Sequence, residues 1–250
     1  MSLSDILIMR NELLLTFMAM ILLTIDLNLN HAKKSLMIPI SIGLFLVVTL
    51  IGFIPQPDQA LFGGMYHTNG LVQLMKNILN IGVLIILFQS AAWLKSPANA
   101  TKISEYFFLL VSTLIGMNFM ISSGDFLMLY LGLELATIPI AALAAFTHFN
   151  TKSSEAGIKL LLSSALSSGI LLYGISMIYG SCGSIYFDSI GAVYSNVPLQ
   201  VLAFIFFFTG MAFKISLVPF HLWTADVYEG APINVTSYLS VISKGAAAFI

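Results

Sequence analysis

Residues 198–223 read PLQVLAFIFFFTGMAFKISLVPFHLW, an apolar run with Lys214 towards its end and Pro219 five residues later. About 20 apolar residues are enough to cross the roughly 30 Å hydrocarbon core of a bilayer. An ionisable group near the bilayer centre costs roughly 2.5–3.5 kcal/mol on insertion scales, and such groups usually mark ion or proton paths. Proline lacks an amide proton and clashes with the carbonyl four residues back, here that of Ile215. The stretch therefore predicts a membrane-crossing helix that is broken or kinked beside a buried lysine. Irregular backbone at that depth is tolerated only against protein or a watery cavity. The segment FLMLYLGLELATIPIAALAAF (126–146) repeats the spacing with Glu134 and Pro139, which predicts a second break, at Leu135. INVTSYLSVISKGAAAFI (233–250) places a third ionisable group, Lys244, among small residues.

Apolar segments recur along the whole chain, at about 13–30, 36–54, 71–94, 106–123, 125–146, 156–178, 198–223 and 232–250. With 58% hydrophobic and 8% charged residues, against about 25% charged in a soluble domain, the chain reads as an integral membrane protein. The segments do not alternate apolar and polar in runs of about ten, as barrel strands would. Only helices satisfy the backbone here. The fold class is thus all-α: one polytopic transmembrane helix bundle over residues 1–250, with about eight helices and a discontinuous seventh. The last segment is still apolar at Ile250, so the chain is expected to be cut within the eighth helix.

Several functions are excluded. No basic stripe exists to neutralise phosphates, so nucleic acid is not a partner. Cys182 is the single cysteine, and no His/Cys cluster suggests a metal or iron–sulfur centre. No glycine-rich nucleotide loop appears. No cofactor or metal is expected on this chain, and redox chemistry is expected to belong to partners. The N-terminus lacks a basic region followed by a small-residue cleavage site and reads as retained. Counting basic residues, the side of the N-terminal tail has Arg10 and Lys76, and the other has Lys33, Lys34, Lys95, Lys102 and Lys152. The positive-inside rule puts the N-terminus outside the cytoplasm.

Each buried charge has a plain alternative. Glu134 lies about nine residues past Asp125, roughly 14 Å deep at 1.5 Å per residue; it is a proton carrier or a structural carboxyl paired with a neighbouring helix. Lys214 is a relay that gains and loses a proton, or a lysine reaching the interface. Lys244 is read the same way. Lys159, only a few residues into its segment, fits snorkelling to the cytoplasmic interface better. His221 is a candidate proton relay or an interfacial histidine beside Trp223. Asp226 and Glu229 read as a solvated turn, with a carboxylate tuning Lys214 as the alternative; Asp125 reads as a helix cap, and Ser163–Gly169 as a packing face of small residues.

The stretches AFKISLVPFHLWTADVYEGAP (212–232), LGLELATIP (131–139) and SYLSVISKGAA (237–247) resemble the antiporter-like subunits of respiratory complex I, of the N type. The resemblance covers most of residues 100–250. It implies that Glu134 on the fifth helix pairs with a channel lysine and that Lys159 on the sixth belongs to the proton path. It assigns Lys214 to the discontinuous seventh helix and Lys244 to the eighth, leading towards the membrane midline. It implies proton translocation coupled to electron transfer from NADH to quinone, in the cell (inner) membrane, beside other membrane subunits. NADH, FMN, iron–sulfur clusters and quinone would sit in those other subunits, so this chain is part of an enzyme without a redox centre. Members have about fourteen helices, and this chain stops in the eighth. The alternatives are a subunit of a multi-subunit monovalent cation/proton antiporter or of a membrane-bound hydrogenase-type complex, and a purely structural membrane subunit.

Overall fold

The computed structural model describes residues 7–250 except 30, 98, 194 and 196. The first six residues, on which the retained N-terminus rests, and the Lys33 side chain lie outside the described residues. The helices are α1 (Arg10–Asn28), α2 (Met37–Gly52), α3 (Gly70–Leu94), α4 (Ile103–Ile121), α5 (Phe126–Ala144), α6 (Thr151–Cys182), α7 (Phe187–Val193), α8 (Pro198–Ile215), α9 (Leu222–Gly230), α10 (Ile233–Ser237) and α11 (Lys244–Phe249). A π-helical turn, Tyr238–Ser243, joins the last two into one rod. Among the described residues, seven helices are long and apolar enough to cross a membrane.

Apolar residues surround most of these helices because one side meets neighbours and the other meets lipid. On α5, Leu129, Leu133, Ala136 and Ile140 are buried, while Leu127, Leu131, Leu135 and Ile138 are exposed. With no hydrophobic drive between helices in lipid, close packing relies on small residues. Gly116 of α4 and Gly132 of α5 face each other this way: a Cβ on Gly132 would sit 2.9 Å from the Gly116 carbonyl oxygen. Gly174 of α6 lies against the backbone of α8 in the same manner, and Ser167 donates to the Gly210 carbonyl at 3.0 Å.

Asp125 caps α5, accepting the Met128 amide proton at 2.7 Å. Asn69 and Asn150 cap α3 and α6. A short antiparallel hairpin, β1 (Gln59–Leu61) and β2 (Tyr66–Thr68), is pinned to the α4–α5 turn through Tyr66 and Ser123. At the opposite end of the bundle Lys34 donates to the Thr101 carbonyl, Lys102 meets His148 and Lys152 pairs with Glu229.

The break after Lys214 is present. Helix α8 ends at Ser216, a non-glycine residue at φ 61°, where the Leu217 amide reaches back to the Ala212 carbonyl at 2.9 Å. This is the bonding of a left-handed helix end. The Val218–Pro219 peptide is cis, and the chain resumes as α9 at Leu222. The break expected at Leu135 is absent, because α5 runs unbroken through Pro139. Proline in a membrane helix is tolerated where neighbours compensate, and α4 packs straight onto the loosened stretch, with the Leu135 carbonyl carbon 2.7 Å from where a Cβ on Gly116 would be. Of these two segments, the one after α8 carries a second disruption, the left-handed Ser216.

Candidate functional site

Lys214 ends α8 and turns back into the bundle, where its ammonium donates to Ser164 Oγ of α6 at 2.5 Å and to Thr137 Oγ1 of α5 at 3.2 Å. Three helices thus meet at one amine. Glu134, one turn before Thr137, lies within electrostatic reach of Lys214 without forming an ion pair to it. Its Oε1 is buried with no hydrogen-bond partner in the protein. The paired glutamate that the resemblance implies is therefore a neighbour at a distance, in this conformation. Ser164 belongs to the stretch read purely as packing; it both packs and solvates the lysine, so that expectation is corrected. The contact was not visible in the sequence because it depends on how α6 is rotated about its own axis.

The broken segment forms the next layer. Trp223 donates from Nε1 to the Phe213 carbonyl at 3.2 Å and stacks on the Phe213 ring. Thr224 donates to Ser216 Oγ at 2.6 Å. Lys244 lies over the Tyr228 ring at 5.0 Å and near the Trp223 ring at 6.0 Å, so aromatic faces take the place of a counter-ion. It directly follows the π-turn, a feature that re-aims a side chain and recurs at functional sites. Trp223 touches both the helix end that carries Lys214 and the lysine of the last rod.

Lys159 stands apart from this group. It is 42% exposed and pairs with Glu155 and Asp226, both at 2.6 Å, beside the Lys152–Glu229 pair at 2.6 Å. Asp226 and Glu229 are thus not a free solvated turn; they tie α9 to the start of α6. Lys152 holds the Glu229 carboxyl below its ordinary value. His221 precedes α9 with an exposed ring, and no bond among the described residues joins it to Lys214 or Asp226.

Sequence reasoning missed a second buried charge group. Lys76 of α3 contacts Glu12 of α1 at 2.5 Å, each with 2% of its side chain exposed. Both bond the Tyr66 hydroxyl, at 3.0 and 3.1 Å. Burial and the Glu12 charge push the Tyr66 hydroxyl above its ordinary value. The available signal was polar spacing: Gln73, Lys76, Asn77 and Asn80 fall on one face of an otherwise apolar helix.

Among the described residues no group of His, Cys, Asp and Glu is arranged to hold a metal ion. The sequence profile of the NADH:quinone oxidoreductase/Mrp antiporter transmembrane family matches residues 123–250. The chain is 49% identical over 249 residues to NADH-quinone oxidoreductase subunit N of Phocaeicola vulgatus, covering all of this chain and 52% of that protein. It is 44% identical to the subunit N of Azobacteroides pseudotrichonymphae, again over 100% of this chain and 52% of the relative. The chain therefore spans about half the length of these curated relatives. A chain of respiratory complex I from Thermus thermophilus with bound aureothin superposes with a TM-score of 0.77 and 26% identity, over 96% of this chain and 52% of that one. A chain of an archaeal membrane-bound sulfane sulfur reductase shares the fold at a TM-score of 0.76 and 19% identity, over 98% of this chain and 52% of its own length.

Proposed function

The chain belongs to the NADH:quinone oxidoreductase/Mrp antiporter transmembrane family, and from that premise we propose that it is part of an N-type, proton-translocating membrane subunit of an NADH–quinone oxidoreductase. Electron transfer from NADH to quinone occurs in partner subunits, which hold the FMN, iron–sulfur clusters and quinone. The subunit lies in the cell (inner) membrane with its N-terminus outside the cytoplasm. That orientation is supported by the gathering of Lys34, Lys95, Lys102 and Lys152 at or beside helix ends on one side of the bundle.

The observation that carries this reading is the Lys214 amine, held at a helix break by hydroxyls from two other helices with Glu134 in reach. Hydroxyls accept from an ammonium and donate to a neutral amine, so the same contacts serve both protonation states. A change of charge on Glu134 alters how firmly Lys214 holds its proton: two unit charges about 8 Å apart at an effective dielectric of about 20 interact by about 2 kcal/mol. The proton then passes by Trp223 towards Lys244. Lys159, clamped by two carboxylates near the start of α6, serves as the cytoplasmic end of the route. His221 is a less direct relay, as its side chain is exposed and no bond among the described residues joins it to Lys214.

The test is Lys214→Ala in the assembled complex, measured as NADH-driven proton uptake by inverted membrane vesicles beside quinone reduction. Proton uptake should fall sharply with the complex still assembled; wild-type uptake per NADH overturns the role. The family description also names Mrp antiporters, which supports a second reading as a cation/proton antiporter subunit. Affinity purification separates the two: co-purifying flavin and iron–sulfur proteins support the first and their absence supports the second.

A further inference from the structure

The Glu12–Lys76–Tyr66 group lies on α1, α3 and the hairpin, none of which carries the Lys214 site. Around it the bundle is unusually polar for its depth. On α3 the face formed by Gln73, Lys76, Asn77 and Asn80 is buried, with exposures of 8%, 2%, 6% and 0%. Gln73 closes the outer end by bonding the carbonyls of Gly52 and Ile54 and the amide of Gln56. Asn80 lies ten residues into α3, about 15 Å from its start at 1.5 Å per residue, which is half of a 30 Å hydrocarbon core. From α4, which packs against α1 and α3, comes Asn118, one turn before Ser122, whose carbonyl accepts the His67 amide proton of the hairpin at 2.8 Å.

Most of these amides have no partner in the protein. Both side-chain polar atoms of Asn80 and of Asn118 are buried without a hydrogen bond, as are Asn11 Oδ1, Asn77 Oδ1 and Asp125 Oδ2. Asn11 Oδ1 and Asn77 Oδ1 converge on Gly52, 3.6 and 2.6 Å from where its Cβ would stand. The two acceptors therefore stand near each other on the same side of Gly52, and neither has a donor in the protein. Buried polar groups in native proteins are hydrogen-bonded almost without exception, and a buried water bonds two to four polar groups that otherwise go unsatisfied. Lipid offers none.

We propose that α1, α3, α4 and the hairpin enclose an internal water site, with the Glu12–Lys76 pair as its charged wall, Asn11 and Asn77 in its middle and Asn80 at its deep end near the bilayer midplane. The ligand is water rather than a cation, because the Lys76 ammonium already supplies the positive charge beside Glu12. This site is separate from the lysine route and stands whether or not that route carries protons.

The test is radiolytic hydroxyl-radical labelling of the intact membrane-embedded protein, where radicals formed from bound water oxidise adjacent side chains. Tyr66 and Tyr106 are equally inaccessible, at 1% and 0% exposure, but Tyr106 sits among Trp93, Phe107 and Phe146. Tyr66 should be labelled several-fold faster than Tyr106 and should take up heavy oxygen after brief mixing with heavy-oxygen water. Labelling of Tyr66 no faster than Tyr106 overturns the site. Asn80→Leu gives an independent reading: a hydrated amide makes this substitution lower the unfolding midpoint. A raised midpoint would mean that Asn80 sits dry and unpartnered, and would overturn the deep end.

Discussion

Replacing Glu12 by Gln removes one charge from a pair 2.5 Å apart, with each side chain 2% exposed, while keeping the shape of the side chain. Lys76 is left with a neutral amide, the Tyr66 hydroxyl at 3.0 Å and the Tyr66 ring at 5.0 Å. At 2.5 Å and an effective dielectric of about 20 the gross Coulomb attraction lost is about 7 kcal/mol, partly offset by the desolvation that a neutral Glu12→Gln side chain no longer carries. Breaking one side of a buried pair typically destabilises by about 3–5 kcal/mol, since the remaining charge stays desolvated. Water at the pair moves the expected loss to the lower end of that range. Glu12→Gln combined with Lys76→Met removes both charges and should recover most of the loss, because replacing a whole buried pair by apolar groups is often neutral. The assay is unfolding of the purified protein in mixed detergent micelles, followed by tryptophan fluorescence, with both single variants and the double variant in one cycle. A single-variant loss under about 1 kcal/mol, or a double variant as unstable as the two singles added together, would refute the reasoning, since independent sites add and coupled ones do not.

Thr137→Val keeps the shape but deletes one hydroxyl partner of Lys214; a bond to a charged group contributes about 1.5–3 kcal/mol, so vesicle proton uptake should slow about tenfold or more. Unchanged uptake would show that the contact is incidental. Gly132→Leu forces a side chain into backbone, where its Cβ would stand 2.5 Å from the Met120 amide nitrogen; overpacking of this kind destabilises by about 1–3 kcal/mol, read as a lowered unfolding midpoint. For Glu229 the sign follows from Lys152, which holds the folded carboxyl below its ordinary 4.5. The pair therefore stabilises the fold at pH above 4.5 and its contribution disappears as pH falls through the lower folded value. Glu229→Gln should remove that acid-side portion of a stability–pH curve, and an unaltered curve would show that the pair contributes nothing.

Hydropathy made the bundle legible because in lipid the backbone leaves few choices, and roughly 20 apolar residues in a row admit one structure. Pro219 marked a true break, and Pro139 with the same spacing from an ionisable residue did not. The difference lies in neighbours. Near Pro139 α4 supports the helix through the close approach of Gly116, whereas beside Pro219 the chain also adopts a left-handed turn at Ser216. Helix breaks in membranes are thus decided by what packs against a proline, which a single sequence does not display. The hairpin at Gln59–Thr68 was invisible for a related reason, as its strands are only three residues each and β2 also pairs with the α4–α5 turn at Ser123.

The same logic explains which charges were found. Glu134, Lys214 and Lys244 stand alone in apolar runs, so their cost is visible in one segment at a time. Glu12 lies three positions into α1, where a sequence reader assigns it to the interface, and Lys76 looks like the early part of a helix reaching outward. Their burial follows only when α1, α3 and the hairpin close over them, with Tyr66 supplied by the hairpin. A partner from a distant part of the chain can hide a charge that sits near a helix end, while no partner is needed to notice one at mid-span. Charge groups built from helix ends are therefore under-read by hydropathy, and polar residues at helical spacing, such as Lys76, Asn77 and Asn80, are the signal by which they are recovered.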